Sequence, residues 1–299
     1  MTETAAYAPL GEGAFRASAL TGGPWSPEHQ HAGPPSALIC RAVERAAAPH
    51  GQTHIGRLTV NLLRPAPIGD CEVDIRADHV GRGAAHFSGR LTSAGKAIAL
   101  FTALAQREDD LPRPEGTPGH PPPAPPRPPE DSAPVSMGFA VDFGYARLVE
   151  NRLARGEFFR GPSVVWFRLN HPLVAGEDAS PYQRVAVAAD SGNGISAALD
   201  FSKYMFVNCD LTINLFRRPL GEWICLDARS WIGENSCGLA ESALYDEHGL
   251  IGRATRSKPS SSPARAISAA SPCGARCRRR AGRWSGRSSF STRWGRRNS

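Results

Sequence analysis

The sequence predicts an α+β protein built from two copies of one unit, a helix followed by an antiparallel sheet. Three observations carry this. Strand-like alternation fills two stretches of the chain on either side of a proline-dense segment. Each stretch opens on a proline-led helical pattern. Short motifs recur about 152 residues apart: Asn61-Leu62-Leu63-Arg64, then Pro67-Ile68-Gly69-Asp70, is echoed by Asn214-Leu215-Phe216-Arg217, then Pro219-Leu220-Gly221-Glu222. A sheet that is apolar on one face has to cover that face, and its own helix is the nearest cover.

In the first copy, Gly33-Pro34-Pro35 leads into a helix over Ser36–Ala47. Proline is tolerated in a first helical turn, and Leu38, Ile39, Val43 and Ala46 form a stripe at helical spacing. Strands are expected near 55–64, 70–80, 84–94 and 96–106. Over Asp70–Val80, Cys71, Val73, Ile75 and Ala77 alternate with Glu72, Asp74, Arg76 and Asp78. In the second copy, Ser180-Pro181 supplies an N-cap and first-turn proline for a helix over Tyr182–Ala189. Strands follow near 205–216, 222–231, 237–246 and 250–255. Val207, Cys209, Leu211, Ile213 and Leu215 share one face of the first, and Asn208, Asp210, Thr212 and Asn214 the other. Between the copies, Leu111–Pro134 contains GHPPPAPPRPPE, which can neither continue a helix nor donate to a sheet and reads as a polyproline spacer. The expected organisation is a first domain over 1–107, a linker over 108–136, a second domain over 137–255 and a tail over 256–299.

Composition narrows the function classes. A hydrophobic content of 41% excludes a wholly disordered chain. No run of about 18 apolar residues is present, so no spanning helix is expected. The start, MTETAAYAPL, lacks the basic and apolar regions of a secretory signal. The protein is therefore expected in the cytoplasm, with its seven cysteines reduced. The net charge of +7 is misleading: Arg256–Ser299 holds eleven Arg, one Lys and no acid, so the first 255 residues carry a net −5. The tail reads either as a basic disordered arm for nucleic acid or an anionic surface, or as the product of a reading-frame shift that replaces the last strand. Without a genuine tail no nucleic-acid partner is expected. Cys273 and Cys277 are a lone pair, too few for a zinc site.

The pieces GPWSPEHQHAGPPSALICRAVE (Gly23–Glu44), NLLRPAPIGD (Asn61–Asp70), GRGAAHFSGRLTSAGKAIALFTA (Gly81–Ala103), VAVAADSGNGIS (Val185–Ser196), VNCDLTINLFRRPLGEW (Val207–Trp223) and GLAESALYDEHGLIGRAT (Gly238–Thr255) stand in the order found in one family. The sequence resembles the acyl-CoA thioesterases of the thioesterase II type. The resemblance implies a double hot-dog fold, two fused domains that each wrap a sheet around a helix, and hydrolysis of fatty acyl-CoA to acid and CoA. The family's catalytic set is an Asp at the end of the second domain's helix, a Thr or Asn early in the next strand, and a Gln in the last strand. These fall on Asp190, Asn208 and Arg256, or Ser257 one residue later; neither of the last two is Gln. Acyl-CoA is then the substrate, no metal or redox cofactor is implied, and a homo-oligomer is expected.

The chemistry fits these residue types. A carboxylate can take a proton from water, and an amide can orient that water through one donor and one acceptor. Gln30-His31-Ala32-Gly33, just before the first helix, offers backbone N–H groups for the developing oxyanion. Arg64 and Arg217, each at a strand end, are candidates for the CoA phosphates, or else for capping carbonyls or pairing with an acid. Asp210 shares the polar face of Asn208. His29 and His31 form a pair that could bind a metal, but no further ligand stands at a fixed spacing, so an ordinary loop role is expected. Rival readings are an inactive acyl-CoA binder, a surface binder acting through the tail, and hydratase or dehydratase chemistry on the same fold.

Overall fold

The computed structural model describes residues 4–109, 123–136, 143–200, 204–206 and 208–263. The first half runs β1 (Tyr7–Gly11), β2 (Ala14–Ala17), α1 (Gly33–Ala47), β3 (His54–Leu62), β4 (Asp70–Val80), β5 (Ala84–Ser93) and β6 (Lys96–Gln106). The second half runs β7 (Ala133–Val135), α2 (Gly144–Leu148), β8 (Val149–Glu157), β9 (Arg160–Leu169), α3 (Pro181–Ala189), α4 (Gly192–Ile195), β10 (Tyr204–Phe206), β11 (Asp210–Leu215), β12 (Ile224–Ile232), β13 (Cys237–Asp246) and β14 (Gly249–Pro263).

The strands join into one sheet in the order β1-β2-β4-β5-β6-β3-β11-β14-β13-β12-β9-β8-β7, with β10 pairing separately with β14. The order is near-palindromic about the β3–β11 junction, as a duplication requires. There the strands run antiparallel, Asp210 lies opposite Asn61, and Thr212 Oγ1 donates to Thr59 Oγ1 at 3.2 Å. The two long helices pack on each other. Gly33 approaches the Val187 carbonyl so closely that a Cβ there would lie 2.5 Å from the oxygen. Leu38, Ile39 and Val43 of α1 and Val185 and Val187 of α3 share one core with Leu58, Phe87, Phe101, Leu211 and Leu244 of the sheet. Truncating a buried aromatic such as Phe101 to Ala costs about 3–5 kcal/mol.

Both helices form where their prolines place them, and Ser180 Oγ caps α3 by accepting from Gln183 N–H at 3.1 Å. Sequence and structure part at four places. β1, β2, β8 and β9 lack the clean alternation that identifies the other strands and are seen only in the structure. The strand expected over 205–216 is broken into β10 and β11, and Cys209, expected on its apolar face, is exposed. The proline-rich segment is no free spacer at its C-terminal end. The Arg127 carbonyl accepts from Trp166 Nε1 at 2.7 Å, the Pro129 carbonyl accepts from Arg152 Nη1 at 3.0 Å, and Ala133–Val135 pairs with β8.

The last strand does not stop at Thr255. It runs to Pro263, and inward alternation continues through Ala254, Arg256 and Lys258, all buried. The inward residues turn from apolar to cationic, so hydrophobicity alone loses the strand. Its backbone is pinned by Asp210 Oδ1, which accepts from Ser257 N–H at 2.5 Å, and by Cys209 N–H, which donates to the Ser257 carbonyl at 3.0 Å. The expected tail character and the Cys273/Cys277 pair fall in 264–299, outside the described residues. Among the described residues no helix is long and apolar enough to cross a membrane.

Candidate active site

α3 ends at Asp190, whose side chain is almost wholly buried. Asn208, two residues before β11 begins, donates from Nδ2 to Asp190 Oδ1 at 2.8 Å, with the Asp190 main-chain carbonyl at 3.4 Å. His31, in the loop that enters α1, brings Nδ1 to 3.2 Å from Asp190 Oδ2 and 3.1 Å from the Gly33 nitrogen. Unprotonated, Nδ1 accepts from Gly33 N–H; carrying a proton, it donates to the carboxylate. Burial pushes the His31 pKa down; the Asp190 charge opposes this shift and the Arg256 charge adds to it. The close packing of α1 on α3 thus brings residues 159 positions apart to one point.

Tyr145 of α2 supplies the floor. Its ring stacks on the His31 imidazole with centroids 3.7 Å apart and planes 6° from parallel. Its hydroxyl donates to the Val187 carbonyl at 3.0 Å and lies 2.7 Å from Ser191 Oγ, which ties the end of α3 to the stacked pair. Burial raises the Tyr145 pKa well above the ordinary phenol value, so the ring stays neutral.

Asp190 and Asn208 lie on the wall of a cavity of about 570 Å³. Its other walls are mainly apolar, from Ile39, Val60, Leu62, Leu91, Ile98, Phe143, Phe159 and Ile195, while His31, Asp190, Asn193 and Asn208 supply polar groups. An apolar cavity with a few converging polar groups suits a ligand that is mostly hydrocarbon and has one reactive polar bond.

Of the residues expected at the site, the structure brings together Asp190, Asn208, His31 and Gln30, with Arg64 exposed on the cavity wall. Gln30 is occupied structurally: Oε1 accepts from Tyr7 OH at 2.6 Å and Nε2 donates to the Pro67 carbonyl at 2.7 Å. The loop is also a poorer oxyanion site than expected. Gln30 N–H donates to the Ala66 carbonyl, His31 N–H to the Thr21 carbonyl and Gly33 N–H to His31 Nδ1, leaving, among the described residues, the Ala32 N–H as the donor of this segment. Gly33 serves the helix contact instead. His29 lines the cavity, and among the described residues no group of three His, Cys, Asp or Glu side chains could hold a metal.

Three expectations are corrected. Arg217 is not available to a phosphate. Its Nη1 and Nη2 grip buried Asp246 at 2.6 and 2.7 Å, and its remaining donors reach the Leu250 and Gly249 carbonyls at 3.0 Å. Asp210 does not line the cavity and instead clamps the Ser257 N–H. Arg256 is wholly buried outside the cavity wall and packs on Gly192 so tightly that no Cβ would fit there. Its Nε, Nη1 and Nη2 have no hydrogen-bond partner among the described residues, and neither does Ser242 Oγ against the same glycine. Burial pushes the Arg256 pKa down to about 10 against the attraction of Asp190 and Asp210, so it remains a cation at neutral pH. Ser257 is exposed and turned away. Tyr145, Asn193 and Lys258 are the residues the sequence reading missed. The period-two inward placement of Arg256 and Lys258 was the available signal for the last.

Residues 21–107 match the acyl-CoA thioesterase N-terminal domain, and residues 118–257 match the acyl-CoA thioesterase C-terminal domain. Among solved structures, the chain is similar to a protein assigned as a thioesterase II from Thermobifida fusca, with a TM-score of 0.66 and 16% identity over 87% of this chain and 99% of that one. It is also similar to a hot-dog protein of unknown function from Alicyclobacillus acidocaldarius, with a TM-score of 0.62 and 16% identity over 84% and 93%. An acyl-CoA thioesterase II from Mycobacterium marinum gives 0.57 and 15% over 87% and 96%. Comparison with curated proteins gave no match. At these identities the structural likeness speaks to the fold, which is the double hot-dog.

Proposed function

Since the chain belongs to the acyl-CoA thioesterase family, and so to the thioester hydrolases, we propose that it cleaves fatty acyl-CoA by direct attack of water, with Asp190 as general base and Asn208 as the residue that orients that water. The observation that carries this reading is the Asp190 carboxylate, held at 2.8 Å by Asn208, on the wall of a largely apolar cavity.

In this mechanism the acyl chain lies in the cavity and the thioester carbon meets a water near Asp190. Asn208 Oδ1 has a second lone pair to accept from that water, and the carboxylate accepts its other proton. The new C–O bond forms as the proton passes to Asp190. The C–S bond then breaks, and the thiolate leaves with that proton as free CoA. His31 Nδ1, 3.2 Å from the carboxylate, can hold the proton between the steps. The Ala32 N–H is the loop donor left for the oxyanion. A positioned general base contributes about 10²–10⁴ in rate. Arg256 supplies positive charge where the family has an amide. Because it is off the cavity wall, water orientation falls to Asn208. Arg64, exposed on the wall, is suited to an anionic group outside the cavity.

The test is thiol release from a series of acyl-CoAs of increasing chain length. Turnover that rises with chain length until the cavity is filled is the expected result. A folded protein that binds acyl-CoA and releases no thiol contradicts the reading, as does one that consumes an enoyl-CoA without releasing thiol.

A further inference from the structure

We infer that Lys258 and Asn193 are positioning residues for this reaction: a one-way chain of hydrogen bonds from the Lys258 ammonium through Asn193 and Asn208 fixes which end of the Asn208 amide faces Asp190. The inference rests on the reading of Asp190 as the base.

Lys258 Nζ donates to Asn193 Oδ1, Asn193 Nδ2 donates to Asn208 Oδ1 at 3.1 Å, and Asn208 Nδ2 donates to Asp190 Oδ1 at 2.8 Å. An ammonium can only donate and a carboxylate can only accept. Between two such ends, two amides have a single orientation that satisfies every contact. Flipping either one sets oxygen against oxygen, or NH₂ against NH₂. Lys258, Asn193 and Asp190 are each 5% exposed or less, and in such surroundings a mismatched polar pair is costly. The chain therefore keeps Asn208 Nδ2 on the base and leaves the free lone pair of Oδ1 for the water.

The fold makes room for this arrangement. On β13, Gly238 lies opposite Lys258, and a Cβ at Gly238 would collide with the lysine stem. α4 turns immediately after Asp190 and brings Asn193 within reach of both Asn208 and Lys258. Packing does not demand a cation here, because the corresponding inward position of the first half, Ala105, is a small apolar residue. Burial and the neighbouring Arg256 push the Lys258 pKa down to about 8, so it is mostly charged at neutral pH. Burying such a charge opposes folding, so a residue kept only for stability would not be a lysine.

Two variants test this in the full chain, each read by thiol release and by thermal unfolding. Lys258→Met removes the donor-only end. Asn193→Asp keeps the shape and the lysine contact but replaces the donor to Asn208 with an acceptor. Each is expected to lower kcat about tenfold or more with KM within about twofold, thermal unfolding showing that the variant is folded. In an Asn208→Ala background, Lys258→Met is expected to cost no further rate, since the amide it orients is gone. If Lys258→Met fails to fold, Asn193→Asp decides. A kcat within about twofold of wild type in a folded variant overturns the inference. So does a Lys258→Met loss that adds in full to that of Asn208→Ala. Asp190→Asn, run alongside, separates the two claims. If it is inactive while Lys258→Met is fully active, only the relay falls. If it keeps the wild-type rate, the base assignment falls and the relay with it.

Discussion

In the first half, the strand paired with β3 turns Ala103 and Ala105 inward; in the second half, the strand paired with β11 turns Arg256 and Lys258 inward at the same register. The register is fixed by threonine pairs, Thr59 opposite Thr102 and Thr212 opposite Thr255. Four residues before Thr59 and Thr212 stand buried Ile55 and half-buried Asn208, respectively. One frame has therefore been filled twice, once for packing and once with a polar set around Asp190. Burial of amides and cations opposes folding, so their concentration in one copy supports the proposal that the chemistry lies there.

The largest effects should come from exchanging the contents of the two frames. Ala103→Arg places an unpartnered cation in an apolar layer and should cost more than about 4 kcal/mol in denaturant unfolding. The reciprocal change, Arg256→Gln, should stabilise the fold. The pKa depression from 12.5 to about 10 corresponds to about 3 kcal/mol of unfavourable burial that the neutral amide does not carry. A stabilised Arg256→Gln and a destabilised Ala103→Arg would uphold the contrast, and equal effects of the same sign would break it.

The paired motif arginines sharpen the comparison. Arg217→Ala should cost about 3–5 kcal/mol, because it strands the wholly buried Asp246 carboxylate, with KM little changed. Arg64→Ala should leave stability within about 0.5 kcal/mol and raise KM for acyl-CoA. The contrast arises because the residue of β5 that matches Asp246 is Ser93, which donates to the Asp70 carbonyl and offers no carboxylate. Burial raises the Asp246 pKa, but Arg217 and the N–H groups of Leu220 and His248 outweigh it and hold the carboxyl below its usual range. That group therefore stabilises the fold above the ordinary carboxylate pKa, and its contribution is lost as pH falls through the lower folded value.

The smallest effect is predicted at His31. Its folded pKa is depressed by burial, so below the usual histidine range the unfolded chain binds the extra proton and acid favours unfolding. His31→Asn should flatten the Tm–pH curve on the acid side of neutrality, and an unchanged slope would show that another group sets it.

Much of the fold was legible because alternation and proline placement are local signals. β4, β6 and β13 fall at the expected residues, and both long helices begin within a turn of their prolines. β8 and β9 were not legible: the inward pattern of β8 breaks at a bulge between Leu153 and Arg155, and β9 buries Val164, Val165, Trp166 and Phe167 in succession and so shows no alternation. At the site, Asp190 and Asn208 came from the family resemblance, which implies an Asp at the end of the second helix and a Thr or Asn early in the next strand. Arg217 could be read as a phosphate ligand or as the partner of an acid and of carbonyls, because a sequence repeat carries a motif but not the partner, Asp246, that decides for the second. Lys258 and Tyr145 escaped because hydrophobic periodicity has no way to register a buried cation, and because a stacked tyrosine 114 residues from its histidine leaves no local trace.

The central claim is that the reaction belongs to the second half's polar set, and Asp190→Asn tests it most directly. Thiol release by the purified variant at saturating acyl-CoA should fall about 10²–10⁴-fold in kcat, with KM and Tm close to wild type. A folded variant that keeps kcat within about twofold would contradict it, and would move the base elsewhere in the cavity.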